Sequence, residues 1–346
     1  MNAKRELGVC IPTGPEAARL QRRNFLRLIG GSAVFDVVSP AEGAEAYPSR
    51  PITLVVPFAV GGGTDVIARI LAERIRPTLG QPVIIENVTG AAGNIGVGKV
   101  ARSSPDGYTL SMGIWNTHVA NGALYELQFD VVRDFEPIAL ISATPLVIVA
   151  RKGVPADDLR ALVAWLRGSK DKVTVATAGV GSAEHVAAVL LQDMLGAQFV
   201  FVPYRGSSPA IQDLVGGQVD MMLSPSTPAT AQIRAGTIKG YAVTSKSRLP
   251  AAPDIPSVDE AGLPGFYFSL WTSLWAPKGT PKEIIAKLSA TVMEALADPE
   301  IRARFTATGP LIVSREQQTP EALAALQKAE IEKWWPIIKA ANVKGE

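Results

Sequence analysis

The stretch Val56-Pro57-Phe58-Ala59-Val60-Gly61-Gly62-Gly63-Thr64-Asp65 joins an apolar, β-branched run to a helical pattern through three consecutive glycines. Upstream, Ile52 to Phe58 reads as a strand. Downstream, Thr64 to Leu79 reads as a helix, because Ile67, Ile70, Leu71 and Ile75 fall on one stripe. A strand feeding a helix through a glycine turn is half of a βα unit. The alternation continues with strands at Val83 to Glu86 and at Tyr108 to Gly113, the latter after the turn Ser104-Pro105-Asp106-Gly107. This is the signature of a largely parallel sheet with helices on its faces, an α/β fold.

The pattern restarts after Pro145. Strands are expected at Leu146 to Ala150, Val173 to Ala176, Phe199 to Val202, Val219 to Leu223 and Ile238 to Thr244. Helices between them are expected around Asp158 to Arg167, from Ser182 to Leu195, and from near Ser207 and Ser226. A second lobe is implied. Pro250, Pro253, Pro256 and Pro264 then mark an irregular connection before a strand-like return at Phe266 to Trp275. Two helices close the chain. Thr280-Pro281-Lys282-Glu283 predicts a cap, a first-turn proline and a capping box, and Thr319-Pro320-Glu321 starts the last helix. The tryptophans of that last helix read as core packing.

With 346 residues, 47% of them hydrophobic, the chain can fill two cores. Its 34 basic and 32 acidic residues give a net charge of +2, too even to steer it to nucleic acid or to an anionic membrane. The partner expected is small. Cys10 is the single cysteine and there are two histidines, so disulfides and metal clusters are not expected in the folded body. Residues 1–46 read as an address. Arg22-Arg23-Asn24-Phe25-Leu26-Arg27 precedes a short apolar run from Leu28 to Val38, and Ala44-Glu45-Ala46 supplies a small-x-small cleavage pattern. Export by the twin-arginine route is expected, with a mature chain starting near Tyr47 and no membrane anchor.

The glycine junction can aim backbone amides and the positive end of a helix dipole at an anion. The alternative is a tight turn in which Thr64 or Asp65 caps the helix and Asp65 pairs with Arg69 one turn on. Glu86 stands where a ribose-binding acid would in a dinucleotide fold, but the third glycine of G-x-G-x-x-G is missing and no Gly-Lys-Ser/Thr follows, so no cofactor is expected. Two further polar loops follow strands. One is Gly113-Ile114-Trp115-Asn116-Thr117-His118. The other, Thr177 to His185, offers the Gly179 to Ser182 amides as a second anion cradle or as an ordinary glycine turn with a Ser182 cap. Ser182 and His185 superficially suggest a nucleophile and base. Their spacing follows from helix geometry, however, and the G-x-S-x-G elbow is absent, so no catalytic residue is assigned.

From Tyr47 to Val343 the chain resembles the Bug family, the solute-binding receptors of tripartite tricarboxylate transporters. The resemblance rests on Pro51-Ile52-Thr53-Leu54-Val55-Val56-Pro57-Phe58, Gly61-Gly62, Thr64-Asp65, Leu79-Gly80-Gln81-Pro82-Val83 and Gly93-Asn94-Ile95-Gly96. It continues in Pro105-Asp106-Gly107-Tyr108, Val202-Pro203-Tyr204-Arg205-Gly206, Gly216-Gly217-Gln218-Val219 and Ala276-Pro277-Lys278-Gly279-Thr280-Pro281. It implies a fold like a type II periplasmic binding protein: two α/β lobes joined by two crossing strands, with a cleft between them. The lobes would be 47–145 with 266–346, and 146–265. It also implies a monomer in the periplasm that captures a mono-, di- or tricarboxylate and hands it to the transporter's membrane permease subunits, without chemistry. A ligand-sensing role for a membrane signalling partner remains open, as does, more remotely, a hydrolase using Ser182 and His185. The ligand residues carried over are Phe58, Val60, Gly61, Gly62, Gly63 and Thr64, then Asn116, Thr117 and His118, then Gly181, Ser182 and His185, with Tyr204 and Ser224. The chain departs from many relatives at Ala59-Val60, where two prolines are common, at Ser224, where aspartate is common, and at Arg205, where lysine is commoner. Losing the aspartate removes a partner for an ammonium group, which argues against amino-acid ligands.

Overall fold

A computed structural model describes residues 47–169, 173–308 and 310–344. The expected export segment, with Cys10, Arg22-Arg23 and Ala44-Glu45-Ala46, lies outside the described residues. In chain order the elements are β1 (Ile52–Val56), α1 (Gly63–Leu79), β2 (Val83–Asn87), α2 (Asn94–Ala101), β3 (Thr109–Ile114), α3 (Asn121–Leu124), β4 (Phe135–Arg151), α4 (Leu159–Gly168), β5 (Val173–Thr177), α5 (Ala183–Leu195), β6 (Phe199–Pro203), α6 (Ser207–Val215), β7 (Met221–Pro225), α7 (Ser226–Arg234), β8 (Ile238–Val243), β9 (Ser269–Pro277), α8 (Lys282–Ala297), α9 (Pro299–Thr308), β10 (Leu311–Ile312) and α10 (Pro320–Ala340).

The strands run in the order β2-β1-β3-β9-β4-β7-β5-β6, with β10 and β8 each added to β4. β1 is parallel to β2 and β3, and β5 is parallel to β6 and β7, so each half is built from βα crossovers. β4 belongs to both halves. Its first part pairs with β9 from Phe135↔Pro277 to Pro145↔Ser269, and its second part pairs with β7 and β8 from Leu146 onward. The return crossing enters at Phe268, whose N–H donates to the Thr244 carbonyl at 3.1 Å, while Thr244 Oγ1 donates to the Phe268 carbonyl at 2.7 Å. This is an α/β architecture of two lobes joined through β4 and β9.

The single strand through Pro145 corrects the expectation that a strand begins only at Leu146. Proline has no N–H to give to a ladder, and Pro145 sits at the step where β4 exchanges one set of partners for the other. A second correction concerns α8. Its N-cap is Pro281, no side chain caps it, and Thr280 Oγ1 instead donates to the Pro277 carbonyl at 2.8 Å.

The expected stripe of α1 is buried, with Ile67, Ile70, Leu71 and Ile75 packed beside Leu54 and Val56 of β1. Each such side chain contributes roughly 1.5–3 kcal/mol of transfer free energy. α8 and α9 cover the same face, and α2 and α10 the other. In the second lobe α4 and α5 pack on one face of the sheet, α6 and α7 on the opposite one. Trp334 of α10 is fully buried, edge-on to Trp115 at 5.6 Å and to Phe268 at 5.0 Å. Leu323 and Ile338 of α10 share one apolar cluster with Val186 and Leu191 of α5, so the core is continuous between the lobes.

Candidate functional site

Three loops of the first lobe meet beyond the carboxyl ends of its parallel strands. A Cβ on Gly93 would lie 2.9 Å from Thr117 Cγ2 and 3.3 Å from both Phe58 and Pro57 side chains, so only a glycine lets the loops after β1, β2 and β3 close together. Gly93 also has φ +91°, in the left-handed region. Just before it, Ala91 and Ala92 adopt left-handed φ values of 47° and 53°, a conformation that costs an L-residue about 1–3 kcal/mol. Asn121 holds this strained turn: its side-chain amide donates to the Ala92 carbonyl at 3.1 Å and to Asn94 Oδ1 at 2.7 Å.

The glycine junction uses part of its amide set internally. Gly61 N–H donates to Asp65 Oδ2 at 2.8 Å and Gly62 N–H to the Ala59 carbonyl at 3.2 Å. Asp65 also accepts from Arg69 Nε at 2.8 Å and from Asn87 Nδ2 at 2.9 Å, and the Arg69 bond leads in holding its carboxyl down at about 2. The Arg69 pairing expected of Asp65 is therefore observed, but the expected cap is not: Asp65 reaches back to the Gly61 amide, ahead of the helix, instead of to a helical N–H. Further along, Gly62 is the N-cap of α1 without a side-chain cap, and the amides of Gly63 and Thr64 have no partner among the described residues. Ala59 to Gly63 are exposed, with Val60 at 70%. The anion cradle of the first lobe thus narrows to Gly63 and Thr64, at the positive end of a helix of 17 residues.

In the next loop the residues part company. Asn116 is half-buried and its side-chain amide donates to the Gly181 carbonyl of the second lobe at 3.3 Å. Thr117 and His118 are fully buried. Thr117 Oγ1 accepts from Ile114 N–H at 3.1 Å and lies 3.0 Å from His118 Nδ1. The imidazole stacks on Trp275 at 4.6 Å, and burial alone lowers its pKa to about 3, so it is neutral. The cause is the wide helical turn from Asn116 to Ala120, which rolls both side chains inward while leaving Asn116 at the cleft. Trp115, just before it, is held from behind: its Nε1 and that of Trp334 both donate to Glu330 Oε2, at 2.7 and 2.8 Å.

In the second lobe Ser182 is the N-cap of α5, its Oγ accepting from His185 N–H at 3.2 Å. His185 Nδ1 accepts from Gly181 N–H at 3.0 Å, and Ser182 N–H donates to the Gly179 carbonyl at 3.1 Å. Two of the amides expected to cradle an anion are therefore spent within the turn. The imidazole addresses the Gly181 amide rather than the Ser182 hydroxyl, which is a helix-start lock and not a nucleophile–base pair. Tyr204 directs its hydroxyl to Asp213 Oδ2 at 2.7 Å, and burial together with that carboxylate pushes its pKa up to about 12. Ser224 is fully buried, donating to the Pro225 carbonyl at 3.2 Å. Arg205 is exposed. A group the sequence did not single out is Glu184, buried in the first turn of α5 and accepting from Ser207 Oγ at 2.7 Å. An acid there reads from sequence as a complement to the helix dipole.

The model of the tripartite tricarboxylate transporter family receptor (TctC) matches residues 67–343. The chain belongs to this receptor family. An Agrobacterium vitis protein from the TAR-I ttuE-ttuC' intergenic region is 41% identical over 304 residues, 87% of each chain. Among solved structures, the periplasmic binding protein BugD is 40% identical with a TM-score of 0.72, covering 87% of this chain and all of its own. MatC from Rhodopseudomonas palustris, solved with bound malate, is 41% identical with the same TM-score, covering 84% of this chain and 100% of its own. The Bug-type receptor fold expected from the sequence motifs is thus the family's fold. No described helix of the receptor is long and apolar enough to cross a membrane.

Proposed function

We propose that this Bug-family receptor captures a small organic carboxylate in the periplasm and presents it, closed, to the permease subunits of a tripartite tricarboxylate transporter, without transforming it. The observation that carries the reading is the pair of unpartnered amides, Gly63 and Thr64, at an uncapped helix start whose preceding loop meets the Asn116 loop at Gly93, where Phe58 and Thr117 converge. Backbone donors at a helix N-terminus suit a carboxylate and need no arginine. That MatC, 41% identical, binds malate supports the ligand class.

In this reading the lobes are 47–145 with 266–346 and 146–265, closing about β4 and the approach to β9. Ligand contacts come from Phe58 to Thr64, from Asn116 and from the Gly181 to His185 turn. Thr117, His118, Tyr204 and Ser224 support these loops from behind. Export uses the twin-arginine segment, and the mature chain acts as a monomer. A thermal-shift screen of the receptor with mono-, di- and tricarboxylates tests the ligand class. A binder specific to the folded form stabilises it by about 2.7 kcal/mol at 100 times its dissociation constant. A rise with one or more organic acids is expected; a rise only with sugars or amines would overturn the reading.

A further inference from the structure

The second lobe places a buried carboxylate, Glu184, at the carboxyl edge of its sheet. α5 packs on one face of the second-lobe sheet through Val186, Ala187 and Leu191, and α6 on the other through Ala210, Ile211 and Leu214. A bond between their first turns must therefore pass over the carboxyl edge of the sheet, and the Ser207 to Glu184 bond does so. At that edge β5 lies between β6, which follows it in sequence, and β7, so the strand order reverses there. Such switch points are where open α/β sheets take their ligands. The first lobe reaches the same turn, through the Asn116 bond to Gly181 and through Leu124, whose Cδ1 would lie 2.9 Å from a Cβ on Gly181.

Glu184 is 5% exposed. Its carboxylate accepts from the Ser207 and Ser182 hydroxyls and from its own amide, and among the described residues no lysine or arginine pairs with it. Buried charges are normally paired. Burial holds this carboxyl above the usual range, and a second carboxylate beside it would push it further, whereas a hydroxyl could donate to it. We propose that Glu184 determines which organic acids the receptor accepts: with one ligand carboxylate on the Gly63 and Thr64 amides, the far end is chosen for a donor, so an ω-hydroxy monocarboxylate is preferred to the dicarboxylate of equal length. This rests on the carboxylate-binding reading of the cleft.

Calorimetric titration at about pH 8 tests it with matched pairs: 3-hydroxypropanoate and malonate, 4-hydroxybutanoate and succinate, 6-hydroxyhexanoate and adipate. In the best-fitting pair the natural receptor is expected to bind the hydroxy acid at least about tenfold tighter, and Glu184→Gln and Glu184→Ala to shift that ratio about tenfold or more towards the diacid. Tighter binding of the diacid by the natural receptor overturns the proposal without any variant. So does an unchanged ratio in variants that still bind. Failure of all these acids, and of those in the wider carboxylate screen, to bind either form would instead remove the carboxylate reading itself, and the inference with it.

Discussion

The Asn116 side chain donates to the Gly181 carbonyl at 3.3 Å, joining a loop of the first lobe to a loop of the second. It is a neutral bond at a half-buried site, and such bonds contribute about 0.5–1.5 kcal/mol net. Its weight falls on closure rather than on folding, because it joins two loops, one from each lobe, outside the shared strand β4. Asn116→Ala is expected to weaken ligand binding about two- to tenfold in calorimetry, with the melting temperature of the ligand-free protein nearly unchanged. An equal fall in both would place the bond in the folding core instead.

Gly93 and Gly61 both have positive φ, yet they predict different costs. At Gly93 a methyl group would lie 2.9 Å from Thr117 Cγ2, in a packed site, whereas at Gly61, φ +79°, nothing lies within 4 Å. Gly61→Ala should cost only the backbone strain, about 1–2 kcal/mol. Gly93→Ala adds overpacking, and about 2–4 kcal/mol is expected in total. Urea unfolding of the two variants measures the difference, and equal midpoints would contradict the close approach of the three loops.

His118 makes folding sensitive to acid. Its ordinary value is 6.5 and its folded value about 3. Between those limits the unfolded chain binds the proton and the folded chain does not, so the neutral ring's contribution is whole above pH 6.5 and is lost as pH falls towards about 3. The loss is on the order of a few kcal/mol. His118→Phe, which can still stack on Trp275, should flatten the decline in urea midpoint over that range. A slope unchanged in the variant would assign it to the carboxylates.

Much of the fold was legible because hydrophobic period carries it: α1, α5, β5 and β6 lie within a residue or so of their expected spans, and the apolar faces of α1, α5 and β5 are the buried ones. The long β4 was harder, since Pro137 and Pro145 look like strand breakers unless it is known that partners change or a bulge falls beside them. The candidate site was legible as three loops but not as side chains. Nothing in Asn116-Thr117-His118 reveals that a wide turn buries the second and third while leaving the first exposed enough to reach the other lobe. Nor does Ser182-Ala183-Glu184-His185 show that Ser207, 23 residues on, arrives beside the acid. Contacts over a sheet edge depend on which face each crossover helix takes, a property of topology rather than of local pattern.

The central claim is that a carboxylate sits on the Gly63 and Thr64 amides with the second lobe closed over it. Titrating the nitrogen-15-labelled receptor with the organic acid that most raises its melting temperature reads those amides directly by NMR. The account predicts saturation at one ligand per chain, with the largest downfield amide-proton shifts at Gly63 and Thr64 and accompanying shifts at Asn116 and in the Gly181 to His185 turn. Saturable binding that leaves Gly63 and Thr64 unmoved would contradict it.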